Sequence, residues 1–153
     1  MINLNGNSSS SRQVTFITHP SIQSKAFASY LSETLMAPVV LQNINKPLAQ
    51  RLAKDSVILF DIAVSNKKLN GVWRDIIRLQ ADNPRLLIIN SAQKYELYEM
   101  AQWPALYGVF RHDDDESRLI EGIKAVLNGE QTAELSVMHP AMYAADHAST
   151  PVE

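Results

Sequence analysis

Two runs of large apolar residues fix the architecture this chain can adopt. Val57-Ile58-Leu59-Phe60 and Leu86-Leu87-Ile88-Ile89 show no alternation of apolar and polar side chains. Each run must therefore be covered on both faces, as strands at the centre of a parallel sheet are covered by their crossover helices. Both runs end in polar residues, Asp61 in the first and Asn90-Ser91 in the second. The loops beyond the carboxyl ends of such strands are where open α/β sheets place their sites. Asp61 is thus the first candidate functional residue, against the plain alternative of a strand-end carboxylate capping a turn.

The remaining segments alternate around these runs. Val14 to Thr18 reads as a strand, followed from Ser21 by a helix with Ile22, Ala26, Phe27, Tyr30, Leu31 and Leu35 on its buried stripe. Pro38 stops that helix and Val39-Val40-Leu41 begins a second strand. Pro47 is placed to open a short helix reaching about Lys54, with Leu48 and Leu52 inward. Ser65 to Lys68 reads as a polar surface turn, and Val72 to Ala81 as a helix carrying Trp73, Ile76 and Ile77 to the core. Asp82-Asn83-Pro84 ends it.

A less regular helix is expected between Lys94 and Gln102, then a strand at Tyr107-Gly108-Val109-Phe110. The acidic run Asp113 to Glu116 opens the last helix, where carboxylates oppose the helix dipole and supply caps rather than a metal site. Leu119, Ile120, Ile123, Val126 and Leu127 form its apolar side and Gly129 its end. Five strands alternating with five helices predict a flavodoxin-like fold, a five-stranded parallel sheet of order 2-1-3-4-5 with helices on both faces. Residues 13–130 form that domain. Residues 1–12 read as a disordered leader, and residues 131–153 as one short helix followed by a flexible tail.

Composition excludes several classes of function. A net charge of -2 lacks the basic balance of a dedicated nucleic-acid binder. The absence of cysteine removes disulfides, thiolate chemistry and cysteine-ligated zinc. No run approaches the roughly 20 apolar residues of a membrane span, so a cytoplasmic protein is the default expectation. The loop His19-Pro20-Ser21 contains no glycine-rich phosphate cradle, and Ser91 has no adjacent histidine. No catalytic residue, cofactor or metal is therefore expected; a small ligand-binding protein on the same fold is the alternative class.

The order and spacing of several strings carry a resemblance. Ser21-Ile22-Gln23, Val57 to Asp61, Asn66-Lys67-Lys68-Leu69, Trp73, Trp103-Pro104, Gly108-Val109-Phe110, Glu121-Gly122 and Gly129-Glu130 resemble the amino-terminal receiver-like domain of CsgD- and VpsT-type regulators. These are LuxR-class transcription factors of biofilm matrix genes. The resemblance implies a CheY-like receiver fold, a regulatory and dimerising role, a homodimer as the working form, and a helix-turn-helix domain beyond the receiver. Residues 131–153 are too few to supply that second domain, so this chain by itself is not expected to read DNA.

Two departures from the pattern shape the expected site. Phosphorylatable receivers carry a pair of acidic residues after the first strand, which with the central Asp hold magnesium. Here Thr18-His19-Pro20 stands in that place. The receiver lysine after the fifth strand has no counterpart, Arg111 and His112 being nearest. Asp61, Thr18, His19, Asn90 and Arg111 are accordingly expected to form a degenerate phosphoacceptor pocket, with Arg111 able to pair with Asp61. The alternative is a working phosphoreceiver at Asp61 that borrows Asp113 or Asp114.

The second departure concerns cyclic di-GMP. VpsT-like members bind it through a Trp and an Arg on the helix after the receiver core, where this chain reads Gln131-Thr132-Ala133-Glu134-Leu135. On that basis cyclic di-GMP is not expected as a ligand. Tyr95, Tyr98, Trp103 and Tyr107, aromatics around the expected fourth helix and fifth strand, are the interface candidates.

Overall fold

The computed structural model describes residues 12–49, 51–80, 84–93 and 95–129. Five strands, β1 (Val14–Thr18), β2 (Val39–Asn43), β3 (Val57–Asp61), β4 (Arg85–Ser91) and β5 (Leu106–Arg111), form one parallel sheet of order β2-β1-β3-β4-β5. Among the described residues the α-helices are α1 (Ile22–Leu35), α2 (Lys67–Arg78), α3 (Leu97–Ala101) and α4 (Glu116–Leu127), with a 3-10 turn at Ile62–Val64. This is the five-stranded parallel sheet of order 2-1-3-4-5 that the alternation of strands and helices implies, and the receiver architecture that the resemblance implies. No helix among the described residues is long and apolar enough to cross a membrane. The leader up to Ser11 and the tail from Glu130 lie outside the described residues.

Strand alternation divides the core in two. Val57 and Leu59 of β3 join Val14, Phe16, Leu87 and Ile89 against α1 and α4. Ile58 and Phe60 join Ile17, Leu86 and Ile88 against α2, α3 and the segment after β2. All five residues of β3 are buried, the four apolar ones as the centre of a two-faced sheet requires and Asp61 at its carboxyl end with them. Trp73 is buried, and its indole Nε1 donates to the Ile44 carbonyl at 2.9 Å.

Four local expectations are corrected. The described residues between Pro47 and Lys54, 47–49 and 51–54, are not helical. So short a piece has little helical stability of its own, and side chains satisfy its backbone instead. Gln42 Nε2 donates to the carbonyls of Lys46 and Pro47, and the Leu52 N–H donates to Gln80 Oε1. Helix α2 starts at Lys67 rather than near Val72, because the Asn66 side chain accepts from the Leu69 N–H at 2.8 Å and caps it. Helix α3 spans only Leu97–Ala101.

The α1 stripe is also rotated. Ser24, Ala28 and Leu31 are its buried residues, with Phe27 and Leu35 packed beside them, whereas Ile22 is 85% exposed and Tyr30 lies at the surface. A capping box fixes the helix start: the Ser24 N–H donates to Ser21 Oγ, and the Ser21 N–H to Ser24 Oγ. That draws Ser24 inward and turns Ile22 out.

Candidate functional site

The carboxyl ends of β1, β3 and β4 bring Thr18, Asp61 and Asn90 together. Asp61 is 7% exposed and Thr18 is 2% exposed. The Thr18 hydroxyl donates to Asp61 Oδ2 at 2.7 Å, and Asn90 Nδ2 donates to Asp61 Oδ1 at 3.1 Å. A third donor comes from the chain itself, since Asp61 caps the 3-10 turn and its Oδ1 accepts from the Ala63 N–H at 3.2 Å. Asn90 holds the left-handed backbone conformation (φ 63°), which Asn tolerates better than most residues.

Beside these three residues opens a cavity of about 320 Å³, lined also by Phe16, Phe27 and His19. His19 is exposed, and its carbonyl is held by the Ser24 hydroxyl. Ser24, Phe16, Phe27 and Val64 are lining residues that sequence reasoning missed. The Ser21-x-x-Ser24 capping spacing was the signal for the first of them.

Arg111 is not part of this group. Its Nε donates to Asp113 Oδ1 at 3.2 Å, and its backbone N–H donates to Asp114 Oδ2 at 2.8 Å. The Asp113 carboxyl is held below its ordinary range by that hydrogen bond to Arg111. The expected Arg111–Asp61 pair is thus replaced by a local turn after β5, where the two carboxylates lie close in sequence and β5 supplies the geometry. The same contacts engage Asp113 and Asp114, the acids a working phosphoreceiver would have to borrow.

The residues present do not fit a magnesium ion. Magnesium bound for phosphoryl transfer needs several hard oxygen donors with enough negative charge. Asp61 offers one carboxylate, both of whose oxygens accept protein hydrogen bonds, and Thr18 aims a proton at it where a second carboxylate would stand. No group of three or more His, Cys, Asp or Glu suited to a metal occurs among the described residues.

The four aromatic candidates do not form one exposed cluster: Tyr95 and Trp103 meet on one side of the sheet, and Tyr107 lies on the other. Trp103 is 6% exposed, packs on Phe60 with ring centroids 5.0 Å apart, and carries the Arg74 guanidinium 5.3 Å from its ring centroid. Tyr95 packs on the same core, and burial raises its phenol above the ordinary value. Tyr107 packs on the opposite face of the sheet. Only Tyr98, 66% exposed next to the similarly exposed Leu97, presents its ring to solvent.

Comparison with known proteins agrees with this geometry. The profile of the family described as "VpsT-like, receiver domain" matches residues 16–133. The CsgBAC operon transcriptional regulatory protein of Escherichia coli is 32% identical over 114 residues, 74% of this chain and 52% of that protein. The probable csgAB operon transcriptional regulatory protein of Salmonella typhimurium is 29% identical over 123 residues, 80% of this chain and 56% of that protein. The chain therefore spans about half the length of these curated relatives. The crystal structure of the regulatory domain of the master biofilm regulator CsgD superposes with a TM-score of 0.74 at 28% identity, covering 88% of this chain and 99% of that one.

The family match overturns the expectation set against cyclic di-GMP. Binding of that dinucleotide is characteristic of VpsT-like receiver domains, and the match itself runs to residue 133. The residues that argued otherwise, Gln131 to Leu135, lie outside the described residues. The chain belongs to the VpsT-like receiver-domain family, as a non-catalytic regulatory domain of the CsgD/VpsT type.

Proposed function

We propose that this domain acts by pairing with a second copy of itself, and that pairing brings together the DNA-binding modules of a transcriptional regulator. The observation that carries the reading is the Thr18 hydroxyl bonded to Asp61 where a receiver needs a second acid. With phosphoryl transfer disfavoured at Asp61, the surface remains as the working part of the domain. Membership of the family and the named regulators of operon transcription support the same conclusion. Two tethered modules gain effective concentration for one DNA site without any new contact to it.

Tyr98 and Leu97 on α3 are the proposed contact. They are adjacent, about two-thirds exposed, and join an apolar surface to a hydroxyl, the combination favoured at interfaces. Sedimentation velocity on the wild-type chain and on Tyr98→Glu and Lys25→Glu tests this. The wild type should sediment as a dimer, weakened by Tyr98→Glu because a charge would be buried without a partner, and unchanged by Lys25→Glu. A wild-type protein that stays monomeric at high micromolar concentration overturns pairing. A dimer indifferent to Tyr98→Glu moves the contact to α1 or α4.

A further inference from the structure

We propose that the cavity beside Asp61 binds a small organic ammonium ion, with its charged head on the Asp61 carboxylate and its apolar body against the wall that Phe16 and Phe27 form. Asp61 is 7% exposed, and none of the ion pairs found among the described residues reaches it. Its hydrogen bonds come from a hydroxyl, a side-chain amide and a backbone N–H, all uncharged. A carboxylate taken this far out of water without a countercharge retains a strong attraction for one.

The cavity opens on that carboxylate and has the size of a small-ligand site, about 320 Å³. Most of its wall is apolar. Phe16 and Phe27 meet edge to face with centroids 5.7 Å apart, and both line the cavity. Aromatic walls attract cations through their ring faces and accommodate hydrocarbon. The combination of one buried carboxylate, two phenyl rings and no second acidic residue in the lining selects a singly charged, partly apolar cation over a hard metal ion, which would require more charged oxygen donors. The Phe27 ring also stacks on Tyr30 at 6.4 Å between centroids, and the Tyr30 hydroxyl bonds to Glu116 at the start of α4. An occupant would therefore press on the aromatic chain that ties α1 to α4. Binding is read at amides around Asp61, so its failure is distinct from failure of pairing.

The test is an amide-resolved NMR titration of the intact chain with phenethylammonium chloride, 2-phenylethanol and magnesium chloride as separate probes. The ammonium should shift the amides of Thr18, Asp61, Ala63 and Asn90 saturably. A charge-assisted hydrogen bond should make it bind about tenfold or more tighter than the alcohol. Asp61→Asn should abolish that preference. Thr18→Val frees Oδ2 from its donor and should strengthen ammonium binding several-fold, a readout that stands even if Asp61→Asn fails to fold. The proposal is overturned by the absence of a saturable shift, by an equal response to the alcohol, by a preference that survives Asp61→Asn, by tighter binding of magnesium at the same amides, or by no gain in Thr18→Val.

Discussion

Thr18 and Asp61, the last residues of two adjacent parallel strands, are joined by a 2.7 Å hydrogen bond in which the hydroxyl donates and the carboxylate accepts. One hydroxyl thus does two things at once. It stabilises a buried charge, and it stands where phosphoryl chemistry would need a second carboxylate.

Removing that donor should be costly. Thr18→Val keeps the shape of the side chain but leaves Asp61 Oδ2 without its partner, so urea denaturation should show a loss of about 1–3 kcal/mol. A loss below about 0.5 kcal/mol, the range of ordinary surface substitutions, would mean that water or another group satisfies Asp61 equally well.

At the opposite edge of the sheet, Arg85 fastens two elements together. Its Nη1 donates to the Val126 carbonyl near the end of α4 at 2.6 Å, and its Nη2 donates to the Asp55 carbonyl before β3 at 2.9 Å. Arg85→Met preserves the aliphatic stem and removes both bonds, and should cost about 1–3 kcal/mol. Hydrogen exchange should accelerate first in the last turn of α4. Uniform acceleration across the sheet would show that Arg85 does not act locally.

The bond from Tyr30 to Glu116 carries a pH signature. Bonding to Glu116, with a smaller effect of burial, raises the Tyr30 phenol above its ordinary value of 10.0. A group whose value is raised on folding contributes stability below its unfolded value and loses it as pH rises through the folded one. Tyr30→Phe should therefore melt below the wild type at neutral pH, and the difference should vanish as pH climbs beyond 10.0. A difference that persists in strong alkali would assign the effect to packing on Phe27 instead.

The parts of the fold legible in the sequence were those set by long apolar runs. Val57 to Phe60 and Leu86 to Ile89 could be satisfied only by a two-faced sheet, and the strand order followed. Segments whose backbone is satisfied by distant side chains were not legible. Nothing near Pro47 announces that Gln42, Gln80 and Trp73 will hold the segment after β2 open. Apolar character alone also misplaced Ile22 and Tyr30, because a two-serine capping box rather than the apolar residues sets the rotation of α1. At the site, Thr18, Asp61 and Asn90 meet because strand ends share an edge. Arg111 does not join them, since the Asp113 carboxylate two residues away holds its guanidinium. Reading a ligand out of a short string at residues 131–135 went further than such a string can carry, as the family match shows.

The central claim is that the domain works by pairing and without phosphoryl transfer. Sedimentation velocity of the wild-type chain, run with and without magnesium and acetyl phosphate, tests it most directly. The account predicts the same dimer in both runs. A monomer in both, or a dimer that appears only with the phosphodonor and is lost in Asp61→Asn, would contradict it.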